Sequence, residues 1–296
     1  MLVKILITTK EPLSVGLESI GIKTLLYKIP IVLKNGETKE IPIIPGNSFR
    51  GVLRDTMAKL FIMDVCGENS DKIEIDPGTA LSMFSGGVLS RKGATKVNSV
   101  HKLIHEFARF LLPLSILGFA VSNTIIPGKI KVGCGYPVVK ETKELIEDIY
   151  WKDTKIELED IYTTVLLTRK NDMSKISKID KIQYDEKEAD NYLKSESEET
   201  GALQQRMIRE AIIPNVDFVT YIREIIPLKL EEKGLLWKTL EEIDSLGGSV
   251  VRGLGSVKLS FLNSKDSENE KKAYEDFVCA ERENIKEQLK KSPTDF

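Results

Sequence analysis

Apolar and polar residues alternate along 2–9 (LVKILITT), the two-residue period of a strand with one buried face. A second extended stretch at 25–33 runs into Asn35-Gly36, a tight-turn dipeptide, and resumes at 40–44, which predicts a hairpin. Pro45-Gly46 breaks the chain. Asn47 or Ser48 is placed to cap a helix over about 49–63, with Phe49, Val52, Leu53, Ala58, Leu60 and Phe61 as its apolar face. Periodicity fades over 64–100, a stretch rich in Gly, Ser, Asp and Lys that reads as a surface insertion. A helix over about 100–112, a strand–turn–strand region at 125–139, and strands at 161–168 and 218–226 follow. The polar segment between those last two strands has the composition of a long hairpin or flexible arm. A helix over 231–246 leads into a glycine-rich turn and a final strand. In the densely charged 264–296, Tyr274, Phe277, Ile285 and Leu289 give only a weak stripe, so a peripheral helix with a frayed end is expected. This order predicts an α+β chain with a ferredoxin-like sheet and helices on one face, a common platform for RNA.

Composition narrows the options. The 296 residues suffice for a core without covalent staples. Cys66, Cys134 and Cys279 are far apart and odd in number, which argues against a disulfide framework or a cysteine zinc site and for a reducing compartment. The most apolar run, 107–121, is too short to cross a bilayer and carries Pro113 and Gly118. A soluble, cytoplasmic protein without membrane contact is expected. Net charge is −2, yet five Lys/Arg against one acid lie in 90–110, and five against two in 169–181. Local patches set the field that a ligand meets, so the overall balance permits a nucleic-acid partner.

Two segments carry chemistry. In 41–55 (IPIIPGNSFRGVLRD), Pro45-Gly46 would turn a strand into a helix start with free backbone N–H groups. Arg50 and Arg54, four apart, share one helix face, and the combination reads as a phosphate clamp. In 247–255 (GGSVVRGLG), Gly247, Gly248, Gly253 and Gly255 would let a ribose–phosphate chain come close, with Arg252 as the charged contact.

Together these segments resemble the paired signature of the RAMP superfamily of CRISPR-associated proteins: a PG(S/N)S–(K/R)G–LR helix start near the N-terminus and a GG…RG-G-V loop near the C-terminus. A third stretch, 210–218 (EAIIPNVDF), is similar to a strand motif of that group, with Asn215 where glycine is usual. The set is most similar to the Cas seven-type backbone subunit of effector complexes. That resemblance implies a modified RNA-recognition fold over 1–263, with a finger insertion at 64–100, a thumb hairpin at 169–206 and a charged extension at 264–296. It implies binding of guide RNA (crRNA) with further copies of the chain and other CRISPR effector subunits, and target DNA or RNA engaged through guide pairing. The expected RNA contacts are Asn47, Ser48, Arg50, Arg54 and the glycine loop with Arg252. Arg91, Lys92 and Lys96 would belong to the fingers, and Arg169, Lys170 and Met173 to the thumb. In RNA-cleaving type III subunits an aspartate precedes the helix motif. Lys28 stands about there in this chain, and no Asp or Glu occurs between Ser19 and Asn35.

No catalytic residue, cofactor or metal is therefore expected, and the departure favours a DNA-targeting, type I-D-like complex or a non-cleaving type III-like one. Two enzyme readings stand beside it: an RNA-cleaving type III backbone subunit and a guide-processing endoribonuclease. His101 and His105, spaced i,i+4, are the candidate general acid and base of the latter. The same pair has zinc-compatible spacing but no evident third ligand, and a solvated basic face beside Lys102 and Arg109 is the simpler reading.

Overall fold

The computed structural model describes residues 2–67, 73–89, 99–170, 204–263 and 267–296. Its main sheet forms around β1 (Leu2–Thr9), where Val3, Ile5 and Ile7 are buried and Leu2, Lys4, Leu6 and Thr8 turn to the opposite face. β1 lies antiparallel between β13 (Asp217–Glu224) and β14 (Val257–Phe261). β9 (Ile130–Val132) and β10 (Tyr136–Pro137) pair with the far edge of β13, and a single turn of helix, α5 (Lys143–Ile146), follows β10.

Two helices cover the buried face. In α1 (Gly46–Cys66), Phe49, Leu53, Met57, Phe61 and Val65 are buried at every fourth position, a core stripe that the sequence already shows. α6 (Leu230–Glu242) packs beside it between β13 and β14. The charged C-terminal stretch corrects the peripheral, frayed expectation. α7 (Glu268–Leu289) lies on α6 and α1 and buries Tyr274, Val278, Ile285 and Leu289 in the main core. The Tyr274 hydroxyl donates to Asp64 Oδ2 of α1 at 2.8 Å. Few apolar residues suffice when they fall on one stripe, and the surrounding charge hides that stripe from a composition reading.

A second sheet, ordered β11–β12–β3–β2, stands at the mouth of the glycine-rich loop. It comprises β2 (Gly16–Ile20), β3 (Lys23–Leu26), β11 (Tyr162–Lys170) and β12 (Gln204–Ile212), with β12 parallel to β3. The hairpin expected at Asn35-Gly36 joins β4 (Lys28–Val32) to β5 (Thr38–Pro42), with Gly36 at φ 84°. Inside the expected surface insertion, α2 (Pro77–Ser85) is capped by Asp76, which accepts from Thr79 N at 3.0 Å, and it buries Met83. β6 (Gly87–Leu89), β7 (Phe119–Ser122) and β8 (Thr124–Ile126) form a small sheet against it. The helix expected over 100–112 is a short turn, α3 (Val100–Lys102), that widens into a π-helix over Leu103–Ala108. Pro113 then sits in the first turn of α4 (Leu112–Leu117). No helix of the described residues is long and apolar enough to cross a membrane.

Candidate nucleic-acid interface

α1 begins at Gly46, one residue after Pro45, and no side chain caps it and no acid occupies its first turn. Its positive end is left open. Gly46 serves packing: a Cβ there would lie 2.6 Å from the carbonyl oxygen of Val132 on β9. Asn47 and Ser48 are exposed, and Asn47 Oδ1 accepts from the backbone N–H of Ser48 at 2.9 Å rather than capping the helix.

The arginine clamp expected from the i,i+4 spacing is corrected by the structure. Arg50 and Arg54 do share a face, but it looks toward α4 and β7. Arg50 donates to the carbonyls of Leu117 and, at 3.3 Å, Ile130. Arg54 donates to Ser82 O at 3.2 Å, Leu117 O at 3.1 Å and Gly118 O at 2.9 Å. Burial lowers both guanidinium pKa values, and that of Arg54, also beside Arg50, falls to about 10. Both groups engage carbonyls at the C-terminal end of α4, and Arg50 also reaches β9 and Arg54 α2. They fasten α1 to these neighbours, and Arg54 ties it to the insertion.

The glycine loop divides in the same manner. Gly247 (φ 78°) and Gly255 (φ 84°) are required by close backbone approach: a Cβ would lie 2.6 Å from Ser14 O and 2.2 Å from Leu246 O, respectively. They lock the loop through Gly248 N–H to Ser14 O, Leu246 N–H to Gly255 O and Gly255 N–H to Pro12 O. Gly248 and Gly253 instead face open space or side chain. Between them Ser249 holds a left-handed φ of 64°, Val251 is fully exposed, and exposed Arg252, among the described residues, reaches only the Met207 sulfur, at 3.9 Å.

Where these parts meet there is a cleft of about 430 Å³, lined by Gly16, Thr24, Ser48, Arg209, Gly247 and Gly248 among others, with Glu18 the one acid among the described residues on its wall. Arg209 is the residue that sequence reasoning missed. It stands on β12 opposite Val165 and beside Thr24, and that register turns it toward the loop. A Cβ on Gly248 would lie 3.5 Å from Arg209 Nη1. Its Nε is buried and has no hydrogen-bond partner. A buried donor without a partner costs about 1–3 kcal/mol, so this arginine is set for an acceptor that the described residues do not supply.

A family model described as the RAMP superfamily matches residues 6–258, from β1 into β14, and so takes in both the α1 start and the glycine loop. The chain belongs to the RAMP superfamily. No curated protein matches it. Among solved structures it is similar to a chain of a "Type IV-B CRISPR Complex", at 15% identity and a TM-score of 0.57, covering 90% of this chain and 93% of that one. It also aligns with Csc2 of Thermofilum pendens at 13% identity and a TM-score of 0.42, covering 99% and 85%.

In this RAMP chain Lys28 ends in a network. Its Nζ lies 3.8 Å from Glu210 Oε2 and 4.7 Å above the Tyr162 ring. Glu210 also holds Lys23 at 2.9 Å and accepts from Leu26 N–H at 3.2 Å. Desolvation raises the Glu210 pKa, but the Lys23 hydrogen bond, the Leu26 N–H and Lys28 together bring it below the usual value. Burial and the Glu210 charge push the Tyr162 hydroxyl up to about 12. A carboxylate with a depressed pKa stabilises the fold above its unfolded pKa, and that contribution is lost as pH falls through the lower folded value. Glu210→Gln should therefore flatten the loss of stability below about pH 4 and lower stability at neutral pH by about 1 kcal/mol, read from urea midpoints across pH. An unchanged acid limb would contradict the network's role. Asn215, placed where the similar motif has glycine, takes the left-handed backbone at φ 63°, which asparagine tolerates.

The other expected contacts are not brought to the cleft by the described residues. Arg169 and Lys170 end β11, paired with Gln205 and Gln204. Arg91, Lys92, Lys96 and Met173 lie outside the described residues. His101 and His105 are exposed with ring centroids 4.3 Å apart, and the described residues contain no group of three or more His, Cys, Asp or Glu that could hold a metal ion.

Proposed function

We propose that this chain is a repeated backbone subunit of a CRISPR ribonucleoprotein effector complex, holding guide RNA by its backbone and presenting it for pairing without cutting the target. The buried, partnerless Nε of Arg209 carries the reading. It shares a cleft with Ser48 at the uncapped start of α1 and with Gly248, and Arg252 stands on the same loop. An uncapped helix N-terminus and two arginines match the negative charge of a phosphodiester chain, and sequence would be left to guide–target pairing. The similar fold found in a type IV-B CRISPR complex supports assembly with other copies and with other CRISPR subunits.

The finer architecture fits the same proposal. Strand order β9/β10–β13–β1–β14, with α1 and α6 as crossovers, is the order of a ferredoxin-like sheet. On that frame the region around α2 and β6 is the finger insertion, and β11 and β12 are the root of the thumb. Lys28, which stands about where the cleaving aspartate would be, is tied to Glu210, and this supports a non-cleaving subunit and a type I-D-like or non-cleaving type III-like complex.

The test is binding of a labelled single-stranded guide RNA over a salt series, with each sample also run on a denaturing gel. Arg209→Ala with Arg252→Ala should weaken binding about 10- to 100-fold near 0.1 M salt, equally for unrelated sequences, and reduce the log–log salt slope by about 1.4. Intact RNA is expected throughout. Discrete cleavage that disappears when His101 and His105 are replaced would instead establish the endoribonuclease reading, and no binding at low salt would overturn both.

A further inference from the structure

The main sheet carries a second exposed cationic surface, on its other face. On the face turned away from α1 and α6, in-register pairing lines up Lys131, Arg223 and Leu2 across β9, β13 and β1, then Tyr221 with Lys4 in the next row. The row after that, Tyr136–Val219–Leu6, is roofed by Ile146, Ile149, Tyr150 and Trp151. The roof stops at Lys4, whose Nζ donates to the backbone carbonyl of Asp148 at 2.8 Å. Beyond Lys4 the exposed end of the sheet is formed by Tyr221, Lys131 and Arg223.

Lys131 and Arg223 are exposed, stand directly opposite each other on neighbouring strands, and have no carboxylate partner among the described residues. Like charges in that position repel and destabilise the pair. The Lys131 ammonium lies 6.0 Å from the Tyr221 ring centroid, and that ring passes over Gly133, where any Cβ would lie 2.7 Å from it. Two cations that an anion would reconcile, beside a held aromatic face, combine the charge and the stacking surface that single strands use.

We infer that this sheet end binds a second single strand of nucleic acid, separate from the strand held in the cleft. The contacts read phosphate charge and a base face and make no use of a 2′-hydroxyl, so RNA and DNA bind alike. This inference does not depend on the proposed function.

Stoichiometric titration of the full chain with labelled 20-mers of uridylate and of thymidylate at low salt tests it. Wild type should take up two strands per chain. Lys131→Ala with Arg223→Ala should remove the sheet-end strand, lowering its affinity at least about tenfold and its salt slope by about 1.4. The Arg209→Ala, Arg252→Ala chain should keep that strand unchanged. If the cleft does not bind RNA at all, one strand per chain remains and is still lost with Lys131 and Arg223, so the two ideas fail separately. Tyr221→Phe should preserve binding where Tyr221→Ala weakens it several-fold. Wild-type binding by the Lys131→Ala, Arg223→Ala chain overturns the inference, as does a preference above about tenfold for either polymer. So does a change in self-association of that variant by sedimentation without a change in strand binding, which would mark a protein interface.

Discussion

Arg54→Ala should cost about 3 kcal/mol of stability and leave RNA affinity unchanged within about twofold. The side chain donates to the carbonyls of Ser82, Leu117 and Gly118, all buried residues, and truncation leaves these acceptors and a side-chain-sized gap. Hydrogen bonds from a charged donor contribute about 1.5–3 kcal/mol each and do not add in full, because the three share one guanidinium. Arg54→Lys should recover little, since an ammonium cannot fork among three acceptors. Denaturant midpoints paired with RNA titration give the result. The sequence reading of a phosphate clamp demands the reverse, intact stability with weakened binding, and that outcome would restore it.

The second large effect is expected at Glu232, which is 1% exposed at the start of α6. Its Oε1 accepts from Ser115 Oγ at 2.6 Å and Lys129 Nζ at 2.5 Å, and its Oε2 accepts from the backbone N–H of Lys229 at 2.9 Å. One carboxylate thus ties α4, the strand leading into β9 and the N-terminus of α6. Glu232→Ala strands the partly buried Lys129 charge and uncaps the helix, for a loss of about 3–5 kcal/mol. Lys129→Met in the same chain should return a large part of that loss, because the attraction within a buried pair is largely offset by desolvation. Calorimetry of both variants is the check, and a loss below about 1 kcal/mol for Glu232→Ala would show the pair to be solvated.

What the sequence disclosed follows from what holds each element in place. β1 and α1 were legible because burial on one face imposes a period on the residues, and the Asn35-Gly36 hairpin and β14 because turn residues bound them. β2 and β12 were not, since strands in a small, largely solvent-washed sheet need no apolar alternation, and QQRMIREAI reads as polar chain. At the site, the spacing of Arg50 and Arg54 fixed that they share a face of α1 but not which neighbour that face meets. Arg209 sits in no motif, and only the parallel register of β12 on β3 brings it to Gly248. The glycines were seen as a loop. That Gly247 and Gly255 serve the chain while Gly248 and Gly253 face outward depends on Pro12 and Ser14, more than 200 residues away.

The carbonyl of Leu117 accepts from both Arg50 and Arg54. Arg54 also donates to Ser82 of α2, so the insertion is fastened to the same helix whose first turn forms the cleft wall at Ser48. Both loads would meet within the first three turns of α1: a force applied at the insertion through Arg54 would turn the adjoining open helix start, and a strand seated there would stiffen the insertion. Strand and insertion partner would thus sense each other through a single rigid rod, with no loop closure between them.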